Sequence, residues 1–128
     1  MGGTIVCDVT DPLEGRSAAQ FASALAARLG LRVVFASVDA VPAAHEPGGD
    51  VEVRLAHGDH AEALARVAAE EGADLVIVGS RAVGFGGRNL RCRLAKDLEA
   101  ATPVPVLVAP PSTRKRTERR LALALGAR

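Results

Sequence analysis

The sequence is poor in aromatic residues. It has no Trp and no Tyr, and its aromatic side chains are Phe21, Phe35 and Phe85. Proteins that bind single-stranded nucleic acid commonly stack the bases on aromatic faces. The net charge of +1 also gives no overall attraction to polyanions. We therefore expect neither a nucleic acid nor an anionic membrane surface as a partner.

Cysteine is scarce as well, with Cys7 and Cys92 as the two examples. Their number and spacing match neither a disulfide framework nor a metal site, so we expect free thiols in a reducing compartment. Cys92 stands between Arg91 and Arg93, near the start of a predicted helix. Neighbouring cations favour a thiolate. This residue is therefore either a redox-sensing thiol or an inert, packed cysteine.

Long apolar runs are also missing. No stretch of the sequence reaches the length that a membrane-spanning helix needs. The first residues lack the basic and apolar regions of a signal peptide. We therefore predict a cytoplasmic protein.

What the sequence does contain is sufficient for one globular domain. It has 128 residues, of which 48% are hydrophobic and 24% charged. The charge is unevenly spread, because residues 114–128 carry a net +5 and the remainder a net −4. We predict a domain over residues 1–111, followed by a basic tail over residues 112–128 that forms a short helix or is disordered. The tail either keeps the protein soluble or docks on a partner subunit or an acidic surface.

The hydrophobic pattern predicts strands that alternate with helices. The strands are predicted at 4–9, 31–38, 51–56, 74–78 and 104–109, and the helices at about 14–29, 59–71 and 88–102. Residues 40–50 are rich in Pro and Gly and are predicted to form a loop. Pro105 favours an edge position for the last strand, because proline cannot donate to a strand ladder. The first helix is expected to bury Ala18, Ala22, Leu25, Ala26 and Leu29.

This alternation indicates a parallel sheet that is covered by helices on both faces. Ligands of such sheets bind beyond the carboxyl ends of the strands, where the strand order reverses. If the first and fourth strands flank this point, Thr10-Asp11-Pro12 faces Gly79–Gly87 across a crevice. A Gly-rich loop that leads into a helix N-terminus is typical of an anion site.

Several segments resemble the universal stress protein family over nearly all of residues 4–110. The most specific are Ala73–Arg81 and Pro103–Val108. The resemblance implies an α/β fold with a single-domain, open, parallel five-stranded sheet in the order 3-2-1-4-5 and helices on both faces. Such a fold is Rossmann-like and similar to the adenine-nucleotide alpha-hydrolases. The resemblance also implies a homodimer that forms along the last strand.

Many members of this family bind ATP through a signature of Gly, two residues, Gly, nine residues, Gly, and then Ser or Thr. Gly79 occupies the first of these positions here, but the next three fall on Ala82, Cys92 and Arg93. The acidic residue that approaches the ribose in the family falls on Thr10, and the position that lines the adenine falls on Val38. The candidate nucleotide site that the resemblance implies consists of Thr10, Asp11, Val38, Gly79, Ser80, Arg81, Ala82, Gly84, Cys92 and Arg93.

The departures from the signature favour a universal-stress-type regulatory domain that acts by binding, is not an enzyme, and has a degraded ATP site. One alternative is a nucleotide-binding switch that still uses the Gly79–Gly87 loop, with ATP or ADP as its ligand. A further alternative is a weak ATP hydrolase. The hydrolase would need a carboxylate for Mg²⁺ near the phosphates, and Asp8 and Asp11 are the candidates.

The segment His57-Gly58-Asp59-His60 places two imidazoles next to a carboxylate. A metal site would need at least one further ligand, and His45 would reach it only if its loop folds back. We predict instead a turn between a strand and a helix. In this turn Asp59 caps the helix, with Glu62 three residues later, and both His side chains are solvated.

Overall fold

The computed structural model describes residues 2–39, 51–79 and 90–110. The predicted loop at 40–50, most of the Gly-rich segment and the basic tail lie outside the described residues. The proposed division at residue 111 is therefore not tested by the structure. Among the described residues no helix is long and apolar enough to cross a membrane.

The described chain forms five strands and three helices. In chain order they are β1 (Thr4–Asp8), α1 (Pro12–Leu29), β2 (Arg32–Val38), β3 (Val51–Ala56), α2 (His60–Glu71), β4 (Leu75–Val78), α3 (Leu90–Ala101) and β5 (Val106–Val108). All strand pairs are parallel. The strand order is β3-β2-β1-β4-β5, which confirms the predicted topology and the predicted edge positions of β3 and β5.

The start of α1 differs from the prediction, because the helix begins at Pro12 and not near Glu14. Proline suits the first helical position, where its missing N–H has no helical partner to lose. The carbonyl of Asp11 accepts a hydrogen bond from the Gly15 N–H at 2.6 Å. The first turn of α1 therefore follows the end of β1 almost directly.

Two hydrophobic layers enclose the sheet. The layer on one face joins the sheet to α2 and α3 and includes Val6, Val34, Leu64 and Leu98. The layer on the other face joins it to α1 and includes Ile5, Phe35, Ala22 and Ile77. One predicted core residue is wrong: Leu29, in the last turn of α1, is 62% exposed. Its position follows the helical spacing, but it is the last residue of α1, directly before the turn that Gly30 makes with a φ of 67°.

The ends of α2 agree with the sequence analysis. The Asp59 carboxylate accepts a hydrogen bond from the Glu62 N–H at 3.2 Å. At the other end Gly72 adopts the left-handed conformation, with φ of 63°, which glycine reaches without steric cost. The Asp59 cap fixes where α2 starts, and therefore where His60 lies.

Candidate functional site

Three predicted site residues lie at the carboxyl ends of three adjacent strands. In the sheet β1 lies between β2 and β4. Thr10 follows β1, Val38 is the last residue of β2, and Gly79 directly follows β4. The structure therefore brings these three residues to one edge of the sheet, at the point where the strand order reverses.

The Thr10 side chain connects β1 to β2. Its hydroxyl accepts a hydrogen bond from the Val38 N–H at 3.0 Å. The same hydroxyl donates to Oδ1 of Asp8 at 2.5 Å, and the Thr10 N–H donates to that oxygen at 3.0 Å. The predicted ribose-side residue and the predicted adenine-side residue are thus joined by one hydrogen bond.

Asp8 is the buried centre of this network. Its side chain is only 9% exposed, and its Oδ2 lies 2.9 Å from Nε2 of His60. Burial of a carboxylate is unfavourable unless it is hydrogen-bonded or paired. Here Thr10 engages one carboxylate oxygen and His60 engages the other.

His60 was not among the predicted site residues, and it is only partly solvated, whereas full solvation was expected. Its side chain is 39% exposed and paired with Asp8. The hydrogen bond with Asp8 raises the pKa of His60 above its ordinary value of 6.5, against the opposing effect of burial. The imidazole is therefore held by Nε2, in an orientation that the Asp8 carboxylate fixes.

A second His–Asp pair lies nearer to solvent at the same edge of the sheet. Nδ1 of His57 lies 2.8 Å from Oδ1 of Asp39, and the Gly58 N–H donates to Oδ2 at 3.3 Å. The hydrogen bond with His57, and then that from Gly58, lower the pKa of Asp39 below its ordinary value of 3.8. Asp39 has a positive φ of 53°. Unlike His60, His57 is exposed, as predicted.

The structure describes only some of the other predicted site residues. Asp11 is partly buried just before α1, and Arg93 is exposed on α3. Cys92 belongs to α3, but its side chain is not described. Four predicted residues lie outside the described part of the chain: Ser80, Arg81, Ala82 and Gly84.

The described residues contain no group of three or more His, Cys, Asp or Glu side chains that could hold a metal ion. The other cysteine, Cys7, is fully buried in β1. Burial, followed by the negative charge of Asp8, raises the pKa of the Cys7 thiol well above its ordinary value. Cys7 is therefore a packed residue and not a reactive one.

Sequence and structure comparisons find proteins that are similar to this chain. A family model described as the universal stress protein family matches residues 39–110. No curated protein matches the chain. A universal stress protein solved in complex with cAMP has a TM-score of 0.65 and 18% identity, over 86% of this chain and 98% of that one.

Two structures from Archaeoglobus fulgidus also share the fold. One universal stress protein has a TM-score of 0.56 and 14% identity, over 85% of this chain and 94% of that one. A universal stress protein in complex with dAMP has a TM-score of 0.51 and 14% identity, over 85% of this chain and 98% of that one. The family model spans more than half of the chain and includes the two segments that carry the sequence resemblance. The chain belongs to the universal stress protein family.

Proposed function

We propose that this protein is a non-catalytic regulatory domain that binds an adenine nucleotide with a single phosphate at the carboxyl ends of β1, β2 and β4. One observation carries the proposal: the Val38 N–H lies 3.0 Å from the Thr10 hydroxyl. The residues that correspond to the adenine and ribose positions of the family are therefore adjacent in this fold. They also lie where ligands of open parallel sheets bind.

The distribution of charge supports a nucleotide that lies across this edge. The side of β1, β2 and β3 is acidic, because Asp8, Asp39 and Asp59 lie at or just beyond their ends. Carbonyl groups at these strand ends and the exposed Asp39 carboxylate suit the amino group of adenine and the hydroxyls of ribose, which are hydrogen-bond donors. On the other side, the sequence from β4 to the first turns of α3 carries four cations that suit a phosphate: Arg81, Arg88, Arg91 and Arg93.

The preference for one phosphate follows from the changes in the ATP signature. Backbone that approaches a phosphate chain closely requires small residues, and Ala82, Cys92 and Arg93 replace the small residues of the family pattern. A single phosphate requires fewer close contacts with the backbone than the three phosphates of ATP. Two of the similar structures hold cAMP and dAMP, and each of these ligands contains one phosphate.

The engagement of Asp8 supports binding without catalysis. A hydrolase of the alternative kind would use Asp8 or Asp11 to hold Mg²⁺ near the phosphates. Both Asp8 oxygens already have partners, because Thr10 binds Oδ1 and His60 binds Oδ2. Coordination of Mg²⁺ by Asp8 would therefore compete with both interactions.

Isothermal titration calorimetry with AMP, cAMP, ADP and ATP, each with and without Mg²⁺, tests this function. We expect AMP or cAMP to bind at least tenfold more tightly than ATP, a difference of about 1.4 kcal/mol. A low-micromolar dissociation constant for ATP would favour the nucleotide switch instead. Absence of binding at millimolar nucleotide would contradict a nucleotide site of any kind, and release of phosphate from ATP would favour the hydrolase.

The variant Thr10→Val tests the location of the site. It keeps the shape of the side chain and removes the hydroxyl, so we expect the affinity for AMP to fall about tenfold. Thr102→Val is the control, because the Thr102 hydroxyl also accepts a hydrogen bond from a backbone N–H, that of Val104, at 3.2 Å. Equal effects of the two variants would place the nucleotide elsewhere.

We also propose a cytoplasmic homodimer that forms along β5. Leu107 and Val108 on this edge strand are exposed large hydrophobic residues. An exposed apolar edge strand is prone to pair with another chain. A second copy would cover both side chains and extend the sheet.

A further inference from the structure

The opposite edge of the sheet has a different character. The strand order ends at β3, which pairs with β2 and, within the described chain, with no other strand. Val53 and Leu55 on this strand are 50% and 57% exposed. The outer edge of β3 therefore presents backbone groups that no described strand pairs, together with apolar side chains.

Alternation along β3 separates charged from apolar side chains. Glu52 and Arg54 lie on the face that carries α2, where Arg54 contacts Glu70 and Glu71 at 3.0 Å. Val53 and Leu55 lie on the opposite face, because successive residues of a strand point to opposite faces. Glu52 is exposed and lies 3.6 Å from Arg32, a loose ion pair that leaves its carboxylate open to a second cation.

We infer that the outer edge of β3 is a surface for self-association, on which β3 of a second copy pairs antiparallel about a two-fold axis at Val53. Such an axis places Glu52 opposite Arg54 of the other copy, and does so twice. It also places Leu55 opposite Val51 and Val53 opposite itself. This surface is separate from β5 and does not depend on nucleotide binding.

Charge selects this register over its neighbours. In a symmetric antiparallel pair, the side chains of two opposite residues lie on the same face of the sheet. Because successive residues alternate between the faces, opposite residues are an even number of positions apart. The two-fold axis therefore passes through a residue and not between two residues. An axis at Glu52 would place the Glu52 side chains of the two copies opposite each other, and an axis at Arg54 would do the same with the two Arg54 side chains. Like charges directly opposite are destabilising, whereas opposite charges stabilise a strand pair. Within Val51–Ala56, the axis at Val53 is the one among these three that pairs unlike charges.

The predicted association is weak. Two paired strands of six residues bury less surface than the roughly 1,200 Å² at the lower end of standard interfaces. We therefore expect a dimer that forms reversibly with concentration and weakens as salt screens the charges. If β5 also pairs, the two edges would join copies into open chains, because the contacts lie on opposite sides of the molecule.

Disulfide trapping of Val53→Cys tests the register. Opposite residues in an antiparallel pair have Cα atoms about 4.5 or 5.5 Å apart, which a disulfide spans. The experiment uses the full chain with Cys92→Ser, and an oxidised and reduced glutathione buffer as the oxidant. We expect V53C to form a covalent dimer at least tenfold faster than Glu99→Cys, an exposed position on α3 that reports random collision. Equal rates would overturn the inference.

Charge reversal provides a second measurement that does not require a new cysteine. In sedimentation velocity at low salt, Glu52→Lys should weaken self-association about tenfold, because Lys would then oppose Arg54 of the other copy. Adding Arg54→Glu should restore it, although that change removes the pairs of Arg54 with Glu70 and Glu71. Glu99→Lys is the charge-matched control. An association that E52K and E99K change equally, or a chain that stays monomeric at every concentration, would overturn the inference.

Discussion

At the scale of single residues, two of the four residues in the hydrogen-bonded network at the end of β1 were named beforehand, as candidate nucleotide contacts and not as partners of each other. Thr10 and Val38 were predicted, because their positions relative to the strand ends carry the family resemblance. The roles of Asp8 and His60 were missed, because these residues are 52 positions apart and their contact depends on where α2 starts relative to β1. One signal was present: a carboxylate inside an apolar strand requires a buried partner.

The Asp8–His60 pair predicts a pH-dependent stability. The pKa of His60 is raised in the folded protein, so its contribution is fully present below the unfolded pKa, about 6.5. It is lost as the pH rises through the folded pKa. His60→Gln keeps a hydrogen-bond donor for Asp8 but removes the charge. We expect it to lower the free energy of unfolding by about 1 kcal/mol at pH 6, a value reduced for partial exposure, and by less at pH 8.5.

Urea denaturation of both proteins at the two pH values measures this difference. Two carboxylates act on the imidazole: Asp8 on β1 and, more weakly, Asp59 at the start of α2. His57→Gln is the control from the same turn, and its more exposed pair with Asp39 should contribute less. A difference between wild type and H60Q that grows from pH 6 to pH 8.5 would contradict the assigned charge state of the pair.

At the scale of elements, the sequence predicted the type and order of all eight described helices and strands. The hydrophobic repeats of two residues in strands and 3.6 residues in helices can be read from short stretches of sequence. The parallel topology then follows from the alternation of strands and helices along the chain. Errors are concentrated at element ends, as for α1, where Pro12 reads as a breaker although it suits the first turn. The strand neighbours were predicted, but the tight packing of α1 against the end of β1 was not, because it depends on close approach at one glycine, Gly15.

Gly15 in α1 provides a test of that approach. A Cβ atom at this position would lie 2.8 Å from the Cα atom of Val9 and 3.0 Å from its carbonyl carbon and oxygen. Helix propensity alone predicts that Gly15→Ala stabilises α1 by up to about 1 kcal/mol. The overlap is with backbone that cannot rotate away, so we expect a net loss of about 1–3 kcal/mol in the free energy of unfolding.

Chemical denaturation of G15A beside Gln20→Ala separates the two effects. Gln20 is exposed on the same helix, so Q20A reports helix propensity without a change in packing and should be neutral or slightly stabilising. If G15A raised the free energy of unfolding as much as Q20A does, α1 would not approach the end of β1 as closely as the structure places it.

At the scale of the whole molecule, every described helix and strand precedes the basic tail. All eight elements lie within residues 4–108. The hydroxyl of Ser17 in α1 donates to the carbonyl of Pro110 at 2.8 Å and ties the chain after β5 to the first helix. The described contacts of the sheet, of both hydrophobic layers and of this tie all lie within residues 2–110, and the predicted division at residue 111 stays a prediction.

Removal of residues 112–128 tests this division. The shortened chain keeps every described contact, so we expect cooperative thermal unfolding with a midpoint within a few degrees of the full chain. Its net charge becomes −4 instead of +1, so any change should diminish with added salt. A large, salt-independent fall in the midpoint would show that the tail packs on the domain. Loss of self-association with unchanged stability would instead assign part of the interface to the tail, in addition to the strand edges.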